Sequence, residues 1–140
     1  MTDEFAIQQN ISTYSEGATR SDWDQVLSTF APDGIWDIPV HNVKFQGHTE
    51  IRKGMIQFSS AMEYMLQANS PAVITVTGDN ATARSVIREG GKFAGREEAL
   101  EIHGIYNDKL IRTANGWKFA HRVFLLRGMF AYPIKPPTLG

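Results

Sequence analysis

Residues 104–122, GIYNDKLIRTANGWKFAHR, constrain what this chain can fold into more than any other stretch. They read as two long strands joined at Asn115-Gly116, a pair that supplies the positive φ angles a two-residue hairpin turn requires. Along the first arm Ile105, Asn107 and Lys109 alternate with Gly104, Tyr106 and Asp108. Trp117 and Phe119 open the second arm, and strict alternation puts Lys118, Ala120 and Arg122 on its other face. A long hairpin that fixes Tyr106 and Arg122 at chosen depths can build the wall of a pocket.

The 140 residues suffice for one domain, 1–140, burying roughly two thirds of the surface its unfolded chain exposes. Fourteen basic and fifteen acidic residues are interspersed, without the basic stripe of a nucleic-acid binder. The absence of cysteine excludes disulfides, thiolate catalysis and thiolate metal sites together. The first residues, MTDEFAIQQN, are too acidic and polar for a signal peptide, and no apolar run approaches the ~20 residues of a membrane span. The expectation is a cytoplasmic protein with neither nucleic-acid nor membrane partners.

Residues 3–19 read as a helix, with Phe5, Ile7, Ile11 and Tyr14 near helical spacing. Ser21 is the expected cap of a second, short helix bearing Trp23, Val26, Leu27 and Phe30. Pro32-Asp33-Gly34 reads as a turn and residues 35–38 as a short strand ended by Pro39. After Gly47 a third helix, capped by Thr49, is expected to bury Ile51, Met55, Ile56, Phe58 and Met62. From about residue 64 the period switches to two: residues 72–77 and 82–88 read as strands turning at Asp79-Asn80, followed by the hairpin. Gly90, Gly91 and Gly95 suggest a bend, and the proline-rich tail from Tyr132 an extended segment. Three helices and a curved sheet enclosing one apolar pocket make an α+β cone.

Residues 14–39 (YSEGATRSDWDQVLSTFAPDGIWDIP), 45–55 (FQGHTEIRKGM) and 104–122 resemble the SnoaL-like branch of the NTF2-like superfamily, in the expected order over nearly the whole chain. Within it they are most similar to the scytalone dehydratase and hexachlorocyclohexane dehydrochlorinase families. The resemblance implies an Asp–His dyad in which a carboxylate orients an imidazole that removes a proton from carbon. Here Thr19 stands at the carboxylate position, and Leu66 or Gln67 near the imidazole position. A Thr–Gln pair can hydrogen-bond a ligand but has no pKa near neutrality. The resemblance further implies that Arg122, five residues after Trp117, points into the cavity with Phe124 and Leu126. It places Arg88 inward on a neighbouring strand, Tyr106 at a pocket amide position and Trp36 in the lining. It also implies that the tail closes over the pocket.

If both Arg88 and Arg122 face inward they need a counter-charge, because an unpaired buried charge is too costly. That leads to a carboxylate, enolate or phenolate ligand held by a guanidinium fork. The alternative for Arg122 is an ion pair with Asp108 or Asp37. Tyr106 either donates to a developing oxyanion or packs its ring and bonds backbone. Tyr14 is either core or pocket, and His41 sits in a loop at the mouth. His48 is expected at the surface, and His103 and His121 on the outer sheet face. No His/Asp/Glu spacing suggests a metal, and no nucleophile elbow, phosphate loop or dinucleotide fingerprint occurs.

The combined expectation is a cofactor-independent protein that binds a small, largely apolar, oxygen-bearing molecule and converts it by proton transfer (isomerase, cyclase or dehydratase type). Arg122 and Tyr106 would stabilise negative oxygen, while His41, Asp37 or Tyr14 would handle the proton. Arg88, Trp36, Thr19, Gln67, Phe124 and Leu126 would hold the ligand. The competing expectation is a non-catalytic binding or accessory module, including an oxygenase small-subunit type, that kept the cavity without the dyad. A homodimer or homotrimer is expected in either case.

Overall fold

The computed structural model describes residues 1–135; the proline-rich end beyond Lys135 lies outside them. Helix α1 (Asp3–Thr19) is capped by the Thr2 hydroxyl, which accepts from the Phe5 amide, and carries Asp3 and Glu4 in its first turn. Its inward stripe, Ile7, Ile11 and Tyr14, is completely buried. Helix α2 (Trp23–Leu27) is capped by Asp22 rather than Ser21, which instead takes a left-handed φ of 56° in the tight link from α1. Strand β1 (Phe30–Ile38) runs straight through Pro32-Asp33-Gly34. The expected turn is a register shift within the strand, between Phe30 and Ile35. A short 3-10 turn, Pro39–His41, leads to β2 (Val43–Gln46) and α3 (His48–Ser59).

Helix α3 starts after Gly47, whose φ of 83° suits glycine, and not at a Thr49 cap. It buries Ile51 and Met55 but leaves Ile56 and Phe58 nearly half exposed, and Met62 already belongs to the next strand. The remaining strands are β3 (Met62–Asn69), β4 (Val73–Thr77), β5 (Asn80–Phe93), β6 (Glu98–Thr113) and β7 (Gly116–Pro133). They form one seven-stranded sheet in the order β2-β1-β7-β6-β5-β3, with β4 also on β5. Every pairing is antiparallel except β1 on β7. The sheet curls around α1, and α3 packs on β1 and β2, giving the α+β cone of the NTF2-like type.

Two residues expected at a bend lie within a strand. Gly90 and Gly91 continue β5, and a Cβ at Gly91 would come within 2.2 Å of the Tyr64 carbonyl oxygen, so glycine there lets β3 approach. In the β6–β7 hairpin the register shifts between Lys109 and Leu110, leaving Ala120 as the extra residue on β7. This bulge is why strict alternation fails. Trp117, Phe119 and Arg122 all turn inward, with exposures of 4, 0 and 0%.

Arg122 is thus the largest fully buried side chain among the described residues. Its guanidinium carbon lies 3.6 Å from the Tyr106 ring centre, 4.2 Å from Tyr14 and 4.4 Å from Phe119. Its Nε is 3.3 Å from Asp108 Oδ1, an ion pair whose angles are too poor for a hydrogen bond. The three ring faces therefore carry much of its compensation, each cation–π contact being worth up to about 2 kcal/mol when desolvated. Removing one partner of such a buried pair strands the other charge. Arg122→Met is expected to destabilise the fold by about 3 kcal/mol in urea denaturation, and Arg122→Met with Asp108→Leu to recover most of that loss. Equal loss in single and double variants would contradict this account of the core.

Candidate functional site

The strand phase of β5 decides which of its side chains reach the interior. Ala81, Ala83, Ser85 and Ile87 are buried, while Thr82, Arg84, Val86 and Arg88 are exposed. The next inward position is Glu89, a carboxyl among apolar neighbours. It lines a cavity of about 340 Å³ between α1, α3 and the curled sheet. The walls are apolar and aromatic, including Trp23, Trp36, Met55, Phe58, Phe93 and Phe124. Tyr14, Tyr106, Gln67 and His41 contribute the polar groups beside Glu89, and Glu63 lies at the rim.

Glu89 is held by Gln67, whose Nε2 donates to Glu89 Oε1 at 2.6 Å across the β3–β5 pairing. Burial pushes its carboxyl up to about 7, against smaller opposing pulls from the Arg122 charge and the Gln67 bond. Tyr14 and Tyr106 meet hydroxyl to hydroxyl at 3.4 Å, with their rings edge-on. Burial raises Tyr14 to about 12 and Tyr106 further, so both remain protonated donors at neutral pH. One hydroxyl proton is used between the two; the other stays free for a ligand oxygen. Asp108 is pushed up to about 6, by burial that Arg122 only partly offsets.

The expected site residues separate into three groups. Tyr14, Trp36, Gln67, Tyr106, Phe124 and His41 line the cavity. His41 sits at its mouth, its ring stacked on Phe58 at 5.4 Å. Arg122 and Thr19 stand behind the lining: Arg122 beneath the tyrosine rings, and Thr19 with its hydroxyl accepting from the Gln67 backbone amide at 2.9 Å. Leu126, half-buried opposite Gly104, is also outside it. Arg88 and Asp37 belong elsewhere. Arg88 is exposed and ion-paired to Glu101, because its even-numbered phase on β5 faces outward. Asp37 accepts from His121 Nε2 at 2.9 Å, with Lys44 at 3.8 Å, away from the cavity lining. The anion fork expected from Arg88 and Arg122 is therefore not formed. Glu89 was the residue missed, and the alternation of small and apolar side chains from Ala81 to Ile87 was the signal that marks it.

A curled α+β cone around an open-mouthed, largely apolar cavity is the architecture of a small-molecule pocket protein. The model of the SnoaL-like domain matches residues 1–123, and the chain belongs to that family. Among solved structures it is similar to a Novosphingobium aromaticivorans protein proposed to be an aromatic ring hydroxylase (25% identity, 93% of each chain, TM-score 0.84). It shares its fold with the hexachlorocyclohexane dehydrochlorinase LinA-type3 of Novosphingobium barchaimii (14% identity, 94% of this chain and 93% of that one, TM-score 0.84). The uncharacterized protein Rv2910c of Mycobacterium tuberculosis is 24% identical over 124 residues, 88% of this chain and 84% of its own.

Because folding raises the Glu89 pKa from 4.5 to about 7, the fold favours its protonated form. That contribution is complete below pH ~4.5 and lost as pH rises through 7, by up to about 3 kcal/mol. Asp108 acts in the same direction, so the informative quantity is the difference between wild type and Glu89→Gln. In denaturant titrations from pH 4 to 8 the glutamine variant should gain on wild type as pH rises. A gap that does not change with pH would contradict an enclosed Glu89.

Proposed function

We propose that the protein catalyses cofactor-independent proton transfer beside a carbonyl group, with Glu89 as the base. The observation that carries this is a carboxyl with a pKa of about 7, held by Gln67 in the same apolar cavity as a pair of protonated tyrosines. A group poised near ambient pH can both take and return a proton. In the reaction envisaged, Glu89 removes a proton from the carbon next to the carbonyl. The bonding pair moves into the carbon framework, and the developing enolate oxygen receives the free hydrogen bond of Tyr14 or Tyr106. Protonated Glu89 then returns the proton at another carbon, which is an isomerisation, or the enolate expels a leaving group, which is an elimination. Arg122 supports this from behind, through the tyrosine rings rather than by touching the ligand. Trp36 and Phe124 shape the cavity, and His41 with Phe58 forms its mouth.

The absence of the dyad, with Thr19 tied to the backbone of Gln67, favours a second reading as a non-catalytic binding protein. Deuterium wash-in separates the two. With 2-tetralone in D2O, the wild type is expected to accelerate exchange at the carbon beside the carbonyl, with an activity limb near pH 7. Glu89→Gln should lower the rate at least 100-fold, with Glu89→Asp between them. Exchange no faster than buffer would leave the binding reading; accelerated exchange unchanged in Glu89→Gln would refute Glu89 as the base. We also propose a homodimer or homotrimer formed on the outer sheet face, where Leu66, Val86 and Phe130 are each more than half exposed. Light scattering should then give twice or three times the 15.7 kDa chain mass; a monomer would refute it.

A further inference from the structure

We propose that the cavity selects uncharged ring compounds carrying a carbonyl and excludes the matching carboxylates, with Glu89 as the residue that enforces the choice. This rests on the proposed base for the position of the ligand, but it concerns binding and stands or falls separately from turnover.

The argument comes from where the positive charges are. Among the described residues no lysine or arginine lines the cavity. Arg122, the cation nearest its floor, is sealed behind the faces of Tyr14, Tyr106 and Phe119 and shares its charge with Asp108. Lys92, near the rim, is bound to Glu63 at 3.2 Å and donates to the Phe93 carbonyl at 3.1 Å. Arg88 lies outside with Glu101. Among the described residues, the other titratable side chains lining the cavity are Glu63, His41 at the mouth, Tyr64, and the two inner tyrosines, which donate rather than carry charge. A carboxylate entering here would be desolvated without a cationic partner and would meet the Glu89 carboxylate in a low-dielectric space.

A ketone meets the opposite situation. The surplus hydroxyl proton of the Tyr14–Tyr106 pair needs an acceptor, and a neutral carbonyl oxygen supplies one at no cost in charge burial. The aromatic and methionine walls suit a ring, and about 340 Å³ accommodates a bicyclic one. Specificity of this kind works by rejection: the anion leaves two like charges facing each other, whereas the ketone leaves nothing unpaired.

The test uses two probes of nearly equal shape, 2-acetylnaphthalene and 2-naphthoate, titrated into wild type and Glu89→Gln. Binding is read from the indole N–H signals of Trp23 and Trp36, which line the cavity, with Trp117 as the remote control. At pH 8 the ketone should bind at least tenfold more tightly than the carboxylate. Its affinity should stay flat between pH 5.5 and 8.5, while that of the carboxylate falls as Glu89 ionises. In Glu89→Gln the pH dependence should shrink to the part that Asp108 contributes and the preference narrow, leaving mainly the desolvation of the carboxylate. Equal or tighter binding of 2-naphthoate at pH 8, an unchanged preference in Glu89→Gln, or no ketone binding at the two indoles would overturn the proposal. Selective binding without deuterium exchange would refute only the catalytic reading; exchange with a preference for carboxylates would refute only this one.

Discussion

Arg122 and Asp108 bring two charged side chains into the centre of a small protein, where neither has contact with solvent. Most of the interior is arranged around that fact. The Ala120 bulge turns Arg122 inward next to Phe119, and α1 brings the Tyr14 ring against the same guanidinium. Tyr106, from the adjacent strand, completes the cage and is itself packed edge-on against Phe124. That packing depends on Gly104, where a Cβ would come within 2.3 Å of the Phe124 ring. The cage thus fixes both tyrosine rings, and with them the direction of the hydroxyl pair at the cavity wall.

The same arrangement explains why the cavity is acidic in character while the charge behind it is positive. Aromatic faces transmit part of the Arg122 field but block its hydrogen bonds, so the guanidinium stabilises the tyrosines and Glu89 without offering itself to a ligand. Glu89 keeps a pKa near neutrality because burial outweighs these attractions. A guanidinium exposed to the cavity would have held that carboxyl ionised and accepted anions. Moving the same charge behind two rings leaves a base poised for proton transfer and a space suited to neutral molecules.

Much of the fold was legible in the sequence because its signals were local. Asn115-Gly116 fixed the hairpin, the helical spacing of Ile7, Ile11 and Tyr14 fixed α1, and the family resemblance supplied the cone. Errors arose where one residue shifts the phase. Alternation carried past Ala120 puts Arg122 on the wrong face, since a bulge leaves no distinctive residue type behind. Pro32-Gly34 resembles a turn because proline and glycine also serve a strand that changes register. At the site, Tyr14, Trp36, Gln67, Tyr106 and Phe124 were legible as lining residues. Arg88 and Glu89 were not told apart, because resemblance to a dehydratase strand outweighed the alternation of Ala81, Ala83, Ser85 and Ile87. A one-residue slip in a strand exchanges inside for outside, and here it exchanged an exposed cation for the cavity-lining acid.

The most direct measurement of the central claim is the titration of Glu89 itself, by carbon-13 NMR of the side-chain carboxyl in protein labelled at glutamate. The Glu89→Gln variant identifies the resonance. A midpoint near 7 in wild type, moving upward when Gln67→Leu removes the hydrogen bond to the carboxylate, is the expected result. A midpoint in the ordinary glutamate range near 4.5 would mean that the carboxyl is solvated, and would contradict both the proposed base and the charge selection built on it.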